Sequence, residues 1–177
     1  SYSKIFLVLS SLFFYSWWNI IYLPIIIVSI IFNFFIGKCL SIKNSNTQKN
    51  KKIILTFGIS SNLLLLIYFK YVDFFIENIN ITFNLNNDPL NLLLPLAISF
   101  FTFQQITYLV DCYKQKVKEY NFVNYAMFVS FFPQLIAGPI VRADYFNKQL
   151  RRGIRLNFKL INSGLIFFII GCFKKIC

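Results

Sequence analysis

The stretch IFLVLSSLFFYSWWNIIYLPIIIVSIIFNFFI, Ile5–Ile36, lies between Lys4 and Lys38 without one charged residue. Ile53–Phe69 and Leu90–Val110 are likewise free of charge. A helix needs about 20 mostly apolar residues to cross a hydrocarbon core roughly 30 Å thick, and these runs suit that length. A soluble core helix of similar length carries a polar face at every turn. Composition agrees. The chain is 57% hydrophobic and 14% charged, with a mean hydropathy of +0.62, whereas soluble domains are about a quarter charged. In lipid every backbone polar group must bond within its own segment or within a closed barrel. No alternating barrel-strand pattern is present. The expected fold is therefore all-α, a polytopic transmembrane helical bundle.

The first run is too long for one untilted helix and carries a natural break at Ser16-Trp17-Trp18-Asn19, followed by Pro24. Tandem tryptophans favour the membrane–water interface. A partial helix is expected before them and a second from about Ile20 to Ile36. Gly37 to Lys52 holds five lysines and no acid, which the positive-inside rule assigns to a cytoplasmic loop. The span Ile53–Phe69 clusters Gly58, Ser60, Ser61 and Asn62 near its middle, for close helix approach or for the wall of a polar cavity. Tyr71 to Leu90 is acidic on balance and falls outside. Asp73, Glu77 and Asn80 sit near helical spacing opposite Phe74, Phe75 and Ile76, which predicts a short helix lying in the interface. The third span, Leu90–Val110, contains Pro95 and the pair Gln104-Gln105 and returns to the cytoplasm.

Phe122–Val141 departs from the pattern. It holds Pro133, Gln134, Gly138 and Pro139, and both of its flanks are basic. The positive-inside rule places both flanks on the cytoplasmic side, so the segment is expected to be re-entrant. Broken backbone at membrane depth is tolerated only when buried in protein or lining a wet cavity. The alternative is an ordinary Pro-kinked helix. The last run, Leu160–Phe173, is short and ends at Lys174-Lys175; it stops midway or belongs to another broken element.

The charge of +12 does not indicate nucleic acid as a partner, because the basic residues lie in short loops between apolar runs. A basic face toward anionic lipid is the natural companion reading. Histidine is absent from the chain, which excludes Ser-His-Asp and Cys-His catalytic sets within it and a histidine general base. Cys39, Cys112, Cys172 and Cys177 show no CxxC spacing and make a poor zinc set. No carboxylates pair inside the apolar runs, and no glycine-rich nucleotide motif occurs. Gln104, Gln105 and Gln134 either position a substrate or tie helices together. No catalytic centre is evident in the chain alone.

Four stretches carry a family resemblance: LFFYSWWN (Leu12–Asn19), IYFKYVDFFIENIN (Ile67–Asn80), LPLAISFFTFQQITYLVDCYK (Leu94–Lys114) and NYAMFVSFFPQLIAGPIVRADYFNKQL (Asn124–Leu150). Together they resemble the membrane-bound O-acyltransferases, in particular the bacterial alginate O-acetyltransferase branch. The resemblance covers nearly the whole chain. It implies a polytopic protein, roughly twice this length or more, of the bacterial inner membrane. Such proteins move an acetyl or short acyl group onto a hydroxyl of an exported polysaccharide or cell-envelope polymer. The donor, acetyl-CoA or another acyl thioester, is met on the cytoplasmic side as a co-substrate, with no bound cofactor, and accessory envelope acetylation proteins are implied as partners. A histidine in an apolar segment is thought to serve as general base. This sequence departs from the family there, since the histidine belongs to a second half that the chain lacks. Residues 1–177 are expected to be the N-terminal part of a single membrane domain, cut at both ends and inactive alone. Gln104, Tyr108, Pro133, Gln134, Gly138, Pro139 and Arg142 are the candidate lining of a tunnel or donor side. Arg142 either pairs with a donor phosphate or carboxylate or snorkels as a positive-inside arginine. Half of a transporter or channel, or a non-catalytic remnant packing with partner helices, are the readings from other classes.

Overall fold

The computed structural model describes residues 2–41, 48–83, 85, 88–117, 121–138, 143, 145–146 and 158–176. The described regular structure is helical. In chain order it comprises α1 (Tyr2–Trp18), a 3-10 turn (Ile20–Tyr22), α2 (Leu23–Ser41), α3 (Gln48–Phe83), α4 (Ile98–Tyr113), α5 (Phe122–Ser130), α6 (Phe132–Ala137) and α7 (Phe158–Ile176). Ile20–Ser41 and Gln48–Phe83 are long and apolar enough to cross a membrane.

The break beside the tryptophans is where the sequence places it. Asn19 adopts an extended conformation and its side chain accepts from the amide of Ile21 at 2.9 Å, capping the turn that leads into α2. Pro24 then sits in the first turn of α2, where its missing N–H would have no partner anyway. Trp17 and Trp18 are 81% and 67% exposed. The helix that ends on them has 17 residues and a length of about 25 Å. Past Ile36, α2 continues to Ser41, and Lys49, Lys51 and Lys52 of the expected lysine-rich loop lie in the first turns of α3; residues 42–47 lie outside the described residues.

The interfacial helix expected after Tyr71 does not exist as a separate element. The span and the acidic stretch form one helix of 36 residues, about 54 Å long. Acidic side chains on one face do not interrupt a helix. Between Gly58 and the Asn-rich stretch after Phe83 there is neither glycine nor proline to stop it. Conversely, α4 starts at Ile98 instead of Leu90. Pro95 disfavours helical backbone in the residue before it, and Ala97 is left-handed at φ 54°, so the helix begins only beyond that turn. The chain before it folds back on α3, where the Leu90 amide donates to the Asp73 carboxylate at 2.8 Å.

The fourth run is broken, as expected, with the break at Phe131 (ψ 99°) and Pro133 in the first turn of α6. α5 has nine residues, about 14 Å, and cannot cross a 30 Å core. It runs beside α1 in the same direction: Lys4 Nζ donates to Asn124 Oδ1 at 2.8 Å, and the rings of Phe14 and Phe132 lie 4.8 Å apart. The rise along α1 between those two contacts is about 15 Å. Further along, the ring of Phe146 rests against Phe128 and Phe131, 5.7 and 5.6 Å away. Every residue from Asn124 to Ser130 is buried, which is the condition under which broken backbone is tolerated in lipid.

α2 touches α1, α3, α4 and α5 and is the centre of the packing in Ser1–Asn147. Lys148–Cys177 forms a second compact unit. Its helix α7 is a single element of 19 residues.

Candidate functional site

Two glycines bring three helices together. A Cβ on Gly58 would lie 2.8 Å from a methyl of Leu109 and 3.2 Å from Ile36, so α3 meets α2 and α4 at van der Waals distance. A Cβ on Gly37 would overlap the ring of Tyr108, 2.8 Å from its hydroxyl and 2.9 Å from Cζ, so that ring packs directly on α2. Small residues are the usual means of close approach in membranes, where no hydrophobic force separates core from lipid.

Close approach places polar side chains from three helices in one layer. Ser29 Oγ donates to Gln105 Oε1 at 2.7 Å, and Asn33 Nδ2 donates to the same oxygen at 3.0 Å. Asn33 and Asn62 exchange bonds of 3.1 and 2.6 Å between their amides. Each asparagine also donates to the carbonyl four residues earlier, of Ser29 and Gly58, at 2.9 and 2.7 Å. Asn33 and Gln105 are fully buried. Gly58 and Asn62 thus both take part in packing. Ser29, Asn33, Ser61 and Asn62 also border a groove of about 340 Å³ between α2 and α3, otherwise lined by Pro24, Phe32, Leu65, Phe69 and similar apolar side chains.

Gln104 and Tyr108 stand on the buried side of α4, 2% and 3% exposed. Tyr108 stacks on Tyr125 of α5 with centroids 4.2 Å apart, so α4 holds the broken element in place. Among the described residues, Thr102 Oγ1, Gln104 Oε1, Gln105 Nε2, Tyr125 OH and Ser130 Oγ are buried without a hydrogen-bond partner. An unsatisfied polar atom in an apolar interior costs one to several kcal/mol, roughly. Tyr15 Oη on α1 and Ser41 Oγ on α2 are in the same state, and each such atom is a place that would accept a water or a polar ligand atom.

Pro133 and Gln134 lie on α6, which packs on α1, and Gly138 ends it in extended backbone with a would-be Cβ 2.7 Å from Gln134 Cα. The two sets of candidates are thus held by different neighbours and linked through α5. Pro139 and Arg142 lie outside the described residues. Asp111, the first residue past the uncharged run Leu90–Val110, sits in the last turn of α4, only 2% exposed. Ser29 and Asn33 were missed. Their signal was a serine and an asparagine four residues apart in an otherwise apolar run, hence on one helix face.

Residues 12–177 match the family model of the membrane-bound O-acyltransferases, and the chain belongs to that family. It is an integral membrane protein by family and by its apolar helices. It is 43% identical to a "Peptidoglycan O-acetyltransferase" of Helicobacter pylori, across 99% of this chain and 38% of that protein. It is 36% identical to a "Probable alginate O-acetylase AlgI" of Azotobacter vinelandii (99% and 36% covered) and 31% identical to one of Pseudomonas syringae pv. tomato (99% and 34%). The chain therefore spans between a third and two fifths of the length of these relatives. No solved structure matches it.

Proposed function

We propose that this chain is the donor-side part of a single acyltransferase membrane domain that acetylates hydroxyls of an exported cell-envelope polymer, peptidoglycan or a polysaccharide such as alginate. The observation that carries the reading is the broken α5–α6 element. Its residues Asn124 to Ser130 are buried, its backbone breaks at Phe131, and among the described residues both α4 and α5 carry buried polar atoms without a partner. Such an element suits a re-entrant wall for a polar substrate path, and the family membership gives that path its chemistry.

In the reaction the acceptor oxygen bonds to the acyl carbonyl carbon, the C–S bond of a thioester donor such as acetyl-CoA breaks, and the hydroxyl proton passes to a base. The chain has no histidine and supplies no imidazole for that transfer. Its part is to line and hold: Gln104, Thr102 and Ser130 offer hydrogen bonds, and Pro133, Gln134, Gly138, Pro139 and Arg142 belong to the same proposed lining. The site is the bacterial inner membrane, with the donor reached from the cytoplasm and accessory envelope acetylation proteins handling the acceptor outside.

The test is deletion of the coding sequence, followed by alkaline release and quantitation of acetate from purified peptidoglycan and exopolysaccharide. Loss of ester acetate from one polymer, restored by complementation, is the expected result. Unchanged ester acetate in both would refute the reading. The 177-residue chain purified alone is expected to transfer no acetyl group.

A further inference from the structure

The grooves between α2 and α3 are apolar, but one pocket is not. It lies where α3 begins and α4 ends and encloses about 410 Å³ between Gln48, Lys51, Tyr113, Lys114 and Gln115. Among the described residues its lining includes two ammonium groups, two amides and a phenol, and no carboxylate. Lys114 and Gln115 are exposed, and Lys51 and Tyr113 are half-buried. The two basic residues come from segments 63 positions apart that the positive-inside rule assigns independently to the same face. The packing of α3 on α4 brings them together.

We infer that this pocket binds the phosphate of an anionic phospholipid from the leaflet on that face. The level is right. Two residues beyond Lys51 the apolar stretch starting at Ile53 begins, and four residues before Lys114 the apolar stretch ending at Val110 stops, so both ammonium groups stand at headgroup depth. Tyr113 supplies the amphipathic ring that favours this boundary. The charge is right, since basic residues near an anionic leaflet are each worth about 1 kcal/mol. The size accommodates a glycerophosphate group while the acyl chains remain in the bilayer. Occupied, the pocket would clamp the start of α3 to the end of α4 and so brace the polar layer farther along both helices.

The experiment titrates the purified chain in neutral detergent with dioctanoyl phosphatidylglycerol, reading bound lipid by native mass spectrometry and the melting midpoint by fluorescence. Parallel titrations use dioctanoyl phosphatidylcholine and soluble glycerol 3-phosphate. Phosphatidylglycerol is expected to bind and to raise the midpoint, and the other two are not. Lys114→Gln should weaken binding about fivefold and Lys51→Gln/Lys114→Gln about 30-fold, which is ~1 kcal/mol per group. Lys51→Arg/Lys114→Arg keeps the charges and should retain binding even if the glutamine variants prove unstable. Lys174→Gln/Lys175→Gln, on α7, should bind as the parent does. Equal binding of phosphatidylcholine, or unchanged binding by the double glutamine variant, would overturn the inference. Tight binding of glycerol 3-phosphate would overturn the lipid assignment in favour of a soluble phosphate site.

Discussion

The amide pair Asn33–Asn62 is the most testable element of the packing. Two hydrogen bonds run directly between the side chains, at 3.1 and 2.6 Å, and both residues are buried. Interhelical hydrogen bonds in membranes average about 0.6 kcal/mol by double-mutant cycles and reach about 1.7. Two such bonds predict a coupling energy of about 1.2 kcal/mol between Asn33→Ala and Asn62→Ala. The single substitution at Asn33 also removes its bond to Gln105 Oε1, and it leaves Asn62 Oδ1 without its donor. That variant should therefore lose about 2–3 kcal/mol, including the cost of the small cavity. The assay is unfolding by steric trapping in bicelles for the parent, both single variants and the double variant. Ser61→Ala is the control, because that hydroxyl is bonded only to its own helix, at the Phe57 carbonyl, and its change should be near zero. Additivity of the two single effects to within about 0.3 kcal/mol would refute the claim that this pair joins α2 to α3.

Gly37→Ala places a methyl against the rigid ring of Tyr108 and should destabilise the chain by about 1–3 kcal/mol; a melting midpoint unchanged from the parent would contradict the close approach of α2 and α4. Replacing the native cysteines and introducing one at Asn121 or Tyr145, both exposed, tests the re-entrant element: a membrane-impermeant thiol reagent should label both from the same side, and labelling from opposite sides would remove the re-entrant reading. Trp17 and Trp18 are the only tryptophans, so the intrinsic fluorescence should be quenched more by lipids brominated near the headgroup than by lipids brominated near the chain ends; the reverse order would place the α1–α2 break inside the core.

Local chemistry settled much of this protein before any packing was considered. Apolar runs without charge admit only helices in lipid. Asn19, Pro95 and Pro133 interrupt them because a side-chain cap or a missing N–H acts within one turn. The broken fourth run was legible for the same reason. The continuity of α3 through Asp73 and Glu77 was not. Acidic residues mark a change of solvent, and a helix can cross that change without ending. Nor could the sequence show which polar residues meet. In a soluble helix the apolar stripe identifies the inward face, but lipid is as apolar as the protein core, so periodicity carries little orientation here. Ser29 and Gln105, 76 residues apart, share a hydrogen bond only because Gly37 and Gly58 let three helices close on one another. The polar layer, the burial of Asp111 and the basic pocket between α3 and α4 all follow from that closure. Residue types and spacings determined that helices would cross the membrane and where they would break, whereas the packing alone decided which of their side chains face one another.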